Sequence, residues 1–266
     1  MNWFKRLLLK NAIIREFLYW KHAARIRRQQ EAIVLGNVGK LNEKVRHEWI
    51  VAKLQALPSG LRLLDAGAGE QKFKPYCHHL HYVSQDFCQY DGVGDGKGLQ
   101  TGSWNYKGID IISDITNIPE PDASFDAILC TEVLEHVPHP ILALQELARL
   151  LKPMGHLIIT APFCSMTHFA PYHFCTGFNK YFYQHHLELL GLQIQEMMAN
   201  GNFFEYIAQE LRRLPLLTQQ YGQQVPDEEE ALVIRSLLKL LEKYSEKIPE
   251  SSDLLCFGYH IYAIKK

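Results

Sequence analysis

From residue 61 onward, short apolar runs alternate with amphipathic segments, and this alternation restricts the fold more than any other feature of the 266-residue chain. "LRLLDA" (61–66), "HYVSQDF" (81–87), "IDIISDI" (109–115), "FDAILCT" (125–131) and "GHLIITAPF" (155–163) read as strands. "PILALQELARLLK" (140–152) has helical spacing, with Pro140 suited to the first turn. Strands separated by helices predict a parallel sheet covered on both faces. "GLQIQEMMA" (191–199) adds a sixth strand, and "LLCFGYHIYAIKK" (254–266) a last, more exposed one. A helix over 41–57 should stop at Pro58-Ser59-Gly60. The segment "CQYDGVGDGKGLQTGSWNYKG" (88–108) is too rich in glycine for a helix and reads as a loop or hairpin. The expected organisation is an N-terminal helical extension (1–58), a doubly wound α/β core (59–202), a helical insert (203–250) and a returning strand (251–266).

Charge narrows the partners. The formal net charge is −1, but residues 1–30 carry eight Lys or Arg against Glu16 alone, and +7 there leaves −8 for the rest. An acidic bulk offers no phosphate track, so nucleic acid is disfavoured. Trp3, Phe4, Leu7, Leu8, Ile14, Phe17 and Leu18 recur at helical spacing among those basic residues. Such a helix either packs over the main domain or makes peripheral contact with an anionic membrane surface. No signal peptide is visible, and no apolar run approaches the roughly 20 residues of a membrane span. Six scattered cysteines without a C-x-x-C pair suggest a reducing compartment, so the expected location is cytoplasmic, with the inner membrane face as the alternative.

The first chemical signal is "LLDAGAGE": an apolar strand ends in Asp65, and Gly67 and Gly69 let the backbone turn tightly against a ligand. Lys72 stands where a dinucleotide-binding G-x-G-x-x-G would have its third glycine, which counts against a pyrophosphate there. Asp86 ends the next strand, where an acid can hold ribose hydroxyls. Asp114-Ile115 follow the third strand, placed for an adenine.

With "SQDF", "DIISDITNIPEPDASFDAILCTEVLEHV" and "LKPMGHLIITAPF", in this order and spacing over about residues 60–200, the chain resembles the class I S-adenosylmethionine-dependent methyltransferases, especially the methyltransferase-type-11 group. The resemblance implies a Rossmann-like seven-stranded sheet with an antiparallel last strand, S-adenosyl-L-methionine as cofactor and a small-molecule acceptor. By position it assigns the methionine part to the turn Asp65, Gly67, Ala68 and Gly69, and the ribose to Asp86 beside Phe87. Asp114 and Ile115 would meet the adenine, and Thr131 or Glu132 the floor below the sulfonium.

Glu132, Glu135 and His136 stand at i, i+3 and i+4, on one side of a helical turn. Many relatives use this run as a structural turn with a methionine-contacting glutamate. Small-RNA and quinone-pathway O-methyltransferases carry a similar run that holds a divalent ion, and His173 is the counterpart of the later histidine in the RNA enzymes. A metal set of Glu132, Glu135, His136 and His173 is therefore the alternative, suited to Mg, Mn or Zn.

"THFAPYHFCTGFNKYFYQHH" (167–186) holds four histidines and seven aromatics. It follows the fifth strand, at the sheet edge where doubly wound folds bind ligands. His168, His173 and His136 are the catalytic candidates, with Tyr172 and Phe174 as pocket walls. His185 and His186 belong on a helix surface, and Phe169 and Phe182 to core or lid packing. Asn200 and Asn202 either bind a hydroxyl or cap a helix. Likeness in the "THFAPYHF" and "NGNFFEY" segments implies a hydroxyl of a sugar or surface-polysaccharide precursor as acceptor. A phenolic or quinone-precursor acceptor is the alternative, and a non-catalytic cofactor-binding scaffold is a rival from another class.

Overall fold

The computed structural model of the protein describes residues 36–266; the basic segment 1–30 lies outside the described residues. Two compact units are present. Residues 36–40 with Phe204–Pro249 form one, and Leu41–Phe203 with Glu250–Lys266 form the other.

The larger unit is built on β1 (Arg62–Ala66), β2 (His81–Asp86), β3 (Ile111–Ile112), β4 (Phe125–Thr131), β5 (Leu151–Pro162), β6 (Leu192–Asn200) and β7 (Gly258–Lys265). Their spatial order is β3-β2-β1-β4-β5-β7-β6. Pairings from β3 through β5 are parallel, and β7 runs antiparallel to both β5 and β6. This is the expected seven-stranded doubly wound sheet. Its strand order reverses between β1 and β4, where such sheets open a crevice at their carboxyl ends.

Side chains alternate across the sheet, as a strand demands. Leu63, Ala127, Leu129 and Ile158 face a layer containing Trp49, Ile50 and Leu54 of α1 (Asn42–Ala56). Leu64, Ile128, Cys130 and Ile159 face the opposite layer, with Leu144 and Leu147 of α2 (Pro140–Leu150) and Tyr183 and Leu187 of α3 (Lys180–Leu189). Pro140 opens α2, and Asn179 caps α3 by accepting from the Phe182 amide at 3.1 Å.

Two segments depart from the sequence expectation. The third strand spans only Ile111–Ile112 rather than 109–115. Asp110 turns its carboxylate to the Ser84 amide and hydroxyl, and Asp114 caps the Thr116 amide, so both ends leave the ladder. Strand β5 starts at Leu151, inside the stretch expected to finish the preceding helix.

The smaller unit contains α4 (Phe203–Gly222) and α5 (Glu228–Lys247). Val38, Ala208, Ala231, Ile234 and Leu238 form its core. Asp227 and Glu230 close a reciprocal capping box at the start of α5, in the acidic turn visible in the sequence. Among the described residues no helix is long and apolar enough to cross a membrane.

Leu64 is wholly buried in β1, an inner strand of the sheet. Leu64→Ala should lower unfolding stability by about 2–5 kcal/mol, the range for a buried leucine that leaves a cavity. Urea unfolding of both proteins checks this, and a loss below about 1 kcal/mol would contradict the layer assignment.

Candidate active site

A cavity of about 520 Å³ lies in the larger unit at the carboxyl ends of β1, β2 and β4. The glycine turn forms its base. Gly67 has φ of +75°, and a side chain there would collide with Val133, so only glycine fits. The Gly67 and Ala68 amides donate to the Gln85 carbonyl at 2.9 and 2.8 Å, and the Gly69 amide donates to Asp86 Oδ2 at 2.9 Å. Asp86 Oδ1 accepts from the Cys88 amide at 2.9 Å. Each carboxylate oxygen has a second lone pair, so Asp86 retains acceptor capacity for a diol.

Of the cofactor residues expected from sequence, Gly67, Gly69, Asp86, Phe87, Asp114, Ile115 and Glu132 line this cavity. Asp65, Ala68 and Thr131 are not among its lining residues. Asp65 is buried beneath the turn and accepts from the Tyr82 hydroxyl, while Thr131 shares a 2.7 Å hydrogen bond with Thr160 across the sheet.

The Glu132–His136 run is where the structure departs furthest from helical spacing. Glu132 takes a left-handed φ of +54°, and only Leu134–His136 form a 3₁₀ turn. The three side chains therefore do not converge. Glu132 pairs with Arg46 of α1 at 2.9 Å and accepts from Thr160 at 3.0 Å. Glu135 is fully buried, and neither of its carboxylate oxygens receives a hydrogen bond. His136 Nε2 and His168 Nε2 lie 3.7 and 3.9 Å from Glu135 Oε1. The donor atoms of Glu135, His136 and His168 all fall within 4.8 Å of one another.

The tautomers follow from the partners. His136 Nδ1 faces the Tyr172 carbonyl and His168 Nδ1 the Met166 carbonyl, so both Nδ1 atoms carry the proton in the neutral rings. Two Nε2 lone pairs and an unsatisfied carboxylate thus share one buried spot. Burial, then the charge of Glu132, holds Glu135 well above the usual carboxylate range. Burial, then His168, pushes His136 down to about 3.

Only His136 of the three catalytic candidates lines the cavity. His173 Nε2 lies 3.1 Å from Ser165 Oγ, whose own proton goes to the Thr176 carbonyl, so His173 donates there and leaves Nδ1 as acceptor. His185 is exposed on α3, and His186 packs on Phe182 with centroids 4.6 Å apart. Asn200 is buried and donates to both Asn42 oxygens, a structural tie rather than a free hydroxyl-binding group.

Sequence reasoning missed the wall supplied by residues 88–108. Tyr90, Trp104 and Tyr106 all line the cavity. The segment pairs with the histidine loop through a bridge between Leu99 and His168, and a side chain at Gly98 would strike the Thr167 carbonyl. Phe169, expected to pack, stacks between Tyr90 (4.5 Å) and His136 (5.0 Å) and lines the cavity itself. Three aromatics among six glycines carried the signal, because glycine permits close approach and aromatics need a place to bury.

A family model described as a methyltransferase domain matches residues 41–222. The chain belongs to this methyltransferase-domain family. Its fold is that of the class I S-adenosylmethionine-dependent methyltransferases. Among curated proteins, the chain is similar to the ubiquinone biosynthesis O-methyltransferase of Xanthomonas axonopodis pv. citri (strain 306). Identity is 32% over 119 residues, 44% of this chain and 48% of that protein. It is also similar to the demethylmenaquinone methyltransferase of Clavibacter sepedonicus, at 34% over 119 residues, 42% of this chain and 46% of that one. The chain spans about half the length of the curated relatives it matches. Among solved structures, the [4+2]-cyclase SpnF is 20% identical with a TM-score of 0.50, covering 83% of this chain and 80% of that one, a likeness of fold alone.

In this methyltransferase domain the buried acid under the glycine turn has a pH signature. Burial pushes Asp65 up to about 7 from 3.8, opposed by the Tyr82 hydroxyl and reinforced by Asp86. Because the folded value exceeds the unfolded one, this contribution to stability is complete below pH 3.8 and is lost as pH rises through about 7. Asp65→Asn should therefore show a smaller fall in stability between pH 4 and pH 7 than the parent protein. Urea unfolding at the two pH values measures it, and identical pH slopes would refute the assignment.

Proposed function

We propose that the protein is an S-adenosylmethionine-dependent O-methyltransferase acting on a phenolic or quinone-precursor hydroxyl. The observation that carries this reading is the Glu135–His136–His168 cluster beside an aromatic-walled cofactor cavity. The names of the curated relatives favour the same acceptor class over a saccharide.

When bound, the cofactor supplies a methyl group on a cationic sulfur. The chain's part is alignment and exclusion of water. The Gly67–Gly69 turn and Asp86 would hold the nucleoside, and Asp114 with Ile115 would border its base. Glu132, fixed by Arg46 and Thr160, would keep a negative charge at the cavity edge. Tyr172 and Phe174 would wall a planar acceptor.

Proton affinity separates the two acceptor classes. A phenol has a pKa near 10, within reach of an imidazole base, whereas an alkyl hydroxyl lies far above it. Burial, then the neighbouring His168, holds His173 below its ordinary value, which keeps the imidazole neutral and able to accept a proton. It would take the proton at Nδ1.

A divalent ion fits the cluster, because the buried Glu135 side chain accepts no hydrogen bond and both imidazoles turn Nε2 toward it. Glu135, His136 and His168 would hold it, in place of the sequence-expected set with Glu132 and His173. Such an ion would supply positive charge favouring the deprotonated phenolic oxygen.

Labelled-methyl uptake across hydroxybenzoate, catechol and sugar-nucleotide acceptors tests the reading. Uptake into the ring compounds, reduced by chelation and restored by Mg, Mn or Zn, is expected; uptake into sugar nucleotides alone would overturn it. Asp86→Ala should weaken S-adenosylhomocysteine binding several-fold to a hundred-fold, roughly 1–3 kcal/mol for lost charge-assisted hydrogen bonds. Glu135→Gln should lower kcat at least tenfold while leaving that dissociation constant within about twofold, the separation expected of a group acting only on the acceptor side.

A further inference from the structure

The segment 88–108 stands between β2 and β3, where a doubly wound fold ordinarily has a helix. It returns to the glycine turn instead. The Asn105 amide donates to Glu70 Oε1 at 3.1 Å, and Gln71 Nε2 donates to the Lys107 carbonyl at 2.9 Å. Immediately before these two ties, Trp104 is laid directly over Gly69, where a Cβ would come within 2.8 Å of the indole Cζ2. Tyr90 and Phe169 meet the indole edge-on at 5.6 and 5.2 Å and fix its orientation. Trp104 thus lines the cavity directly above the residues that the proposed function gives to the cofactor.

We propose that Trp104 is the roof of the cofactor site, covering the ribose-to-methionine stretch above Gly67–Gly69 and excluding water from it. The indole presents an electron-rich surface suited to a cationic sulfonium ligand, and the absence of a side chain at Gly69 lets the ring pack against the turn. Segment 88–108 is then a cofactor-binding element, and its glycines serve to fold three aromatics back onto the turn. The inference rests on the proposed reading of this cavity as the S-adenosylmethionine site.

Calorimetry and intrinsic fluorescence with S-adenosylhomocysteine test it on the whole protein. Trp104→Ala should raise the dissociation constant roughly tenfold, and Trp104→Phe should raise it less, as expected for loss of one desolvated aromatic contact. The parent protein has three other tryptophans, Trp3, Trp20 and Trp49, so its fluorescence change on binding should disappear in Trp104→Phe. Should the parent bind the ligand while both variants match it within twofold and Trp104→Phe keeps the full fluorescence change, the roof is wrong and the cofactor site stands. Absence of binding by the parent protein would overturn the site and the roof together. Where Trp104→Ala fails to fold, the fluorescence comparison between the parent and Trp104→Phe decides alone.

Discussion

Backbone amides at the end of β1 must find acceptors where the chain reverses, and this requirement organises the site. Gly67 and Ala68 donate to Gln85, and Gly69 donates to Asp86, so the turn after β1 is bonded to the end of β2. A buried amide left unpaired would cost about as much as a lost hydrogen bond. The same three bonds therefore stabilise the turn, orient the Asp86 carboxylate and keep the crevice open at the strand-order reversal. Beneath them, Asp65 is retained at the cost of burying an acid, with the Tyr82 hydroxyl as partner.

The opposite wall follows a different rule. Glu135 is held inside without hydrogen bonds to its side chain, while its own carbonyl accepts from the Phe174 and Cys175 amides at 2.9 and 3.1 Å. The histidine loop is thereby anchored at two levels, by backbone bonds to residue 135 and by the aromatic stack of Tyr90, Phe169 and His136. A charged carboxylate without a hydrogen-bond partner is costly in a protein interior, which is why burial raises the Glu135 pKa and favours its neutral form.

Much of the fold was legible because its signals are local and periodic. The apolar runs of β1, β2 and β4 and the helix opened by Pro140 lie within a residue or two of their sequence positions at most ends. So does the glycine turn, since a positive φ at Gly67 is written in the residue type itself. β3 is shorter than its apolar run because Asp110 and Asp114 bond neighbouring loop groups with their side chains rather than continuing the ladder. The Glu132–His136 run departs from helical spacing because its first residue is left-handed and only Leu134–His136 form a 3₁₀ turn.

The sequence by itself determined the strand–helix alternation of the doubly wound sheet and the glycine-and-acid crevice, because strand period, glycine freedom and strand-end acids are properties of short segments, whereas the antiparallel last strand is implied by the family resemblance. Only the tertiary structure decided which imidazoles meet Glu135 and which aromatics face the cavity. His168 lies 33 residues beyond Glu135, and Trp104 lies 35 beyond Gly69. Their meetings depend on how two loops pair above the sheet through Leu99 and His168, and no local preference encodes such a pairing.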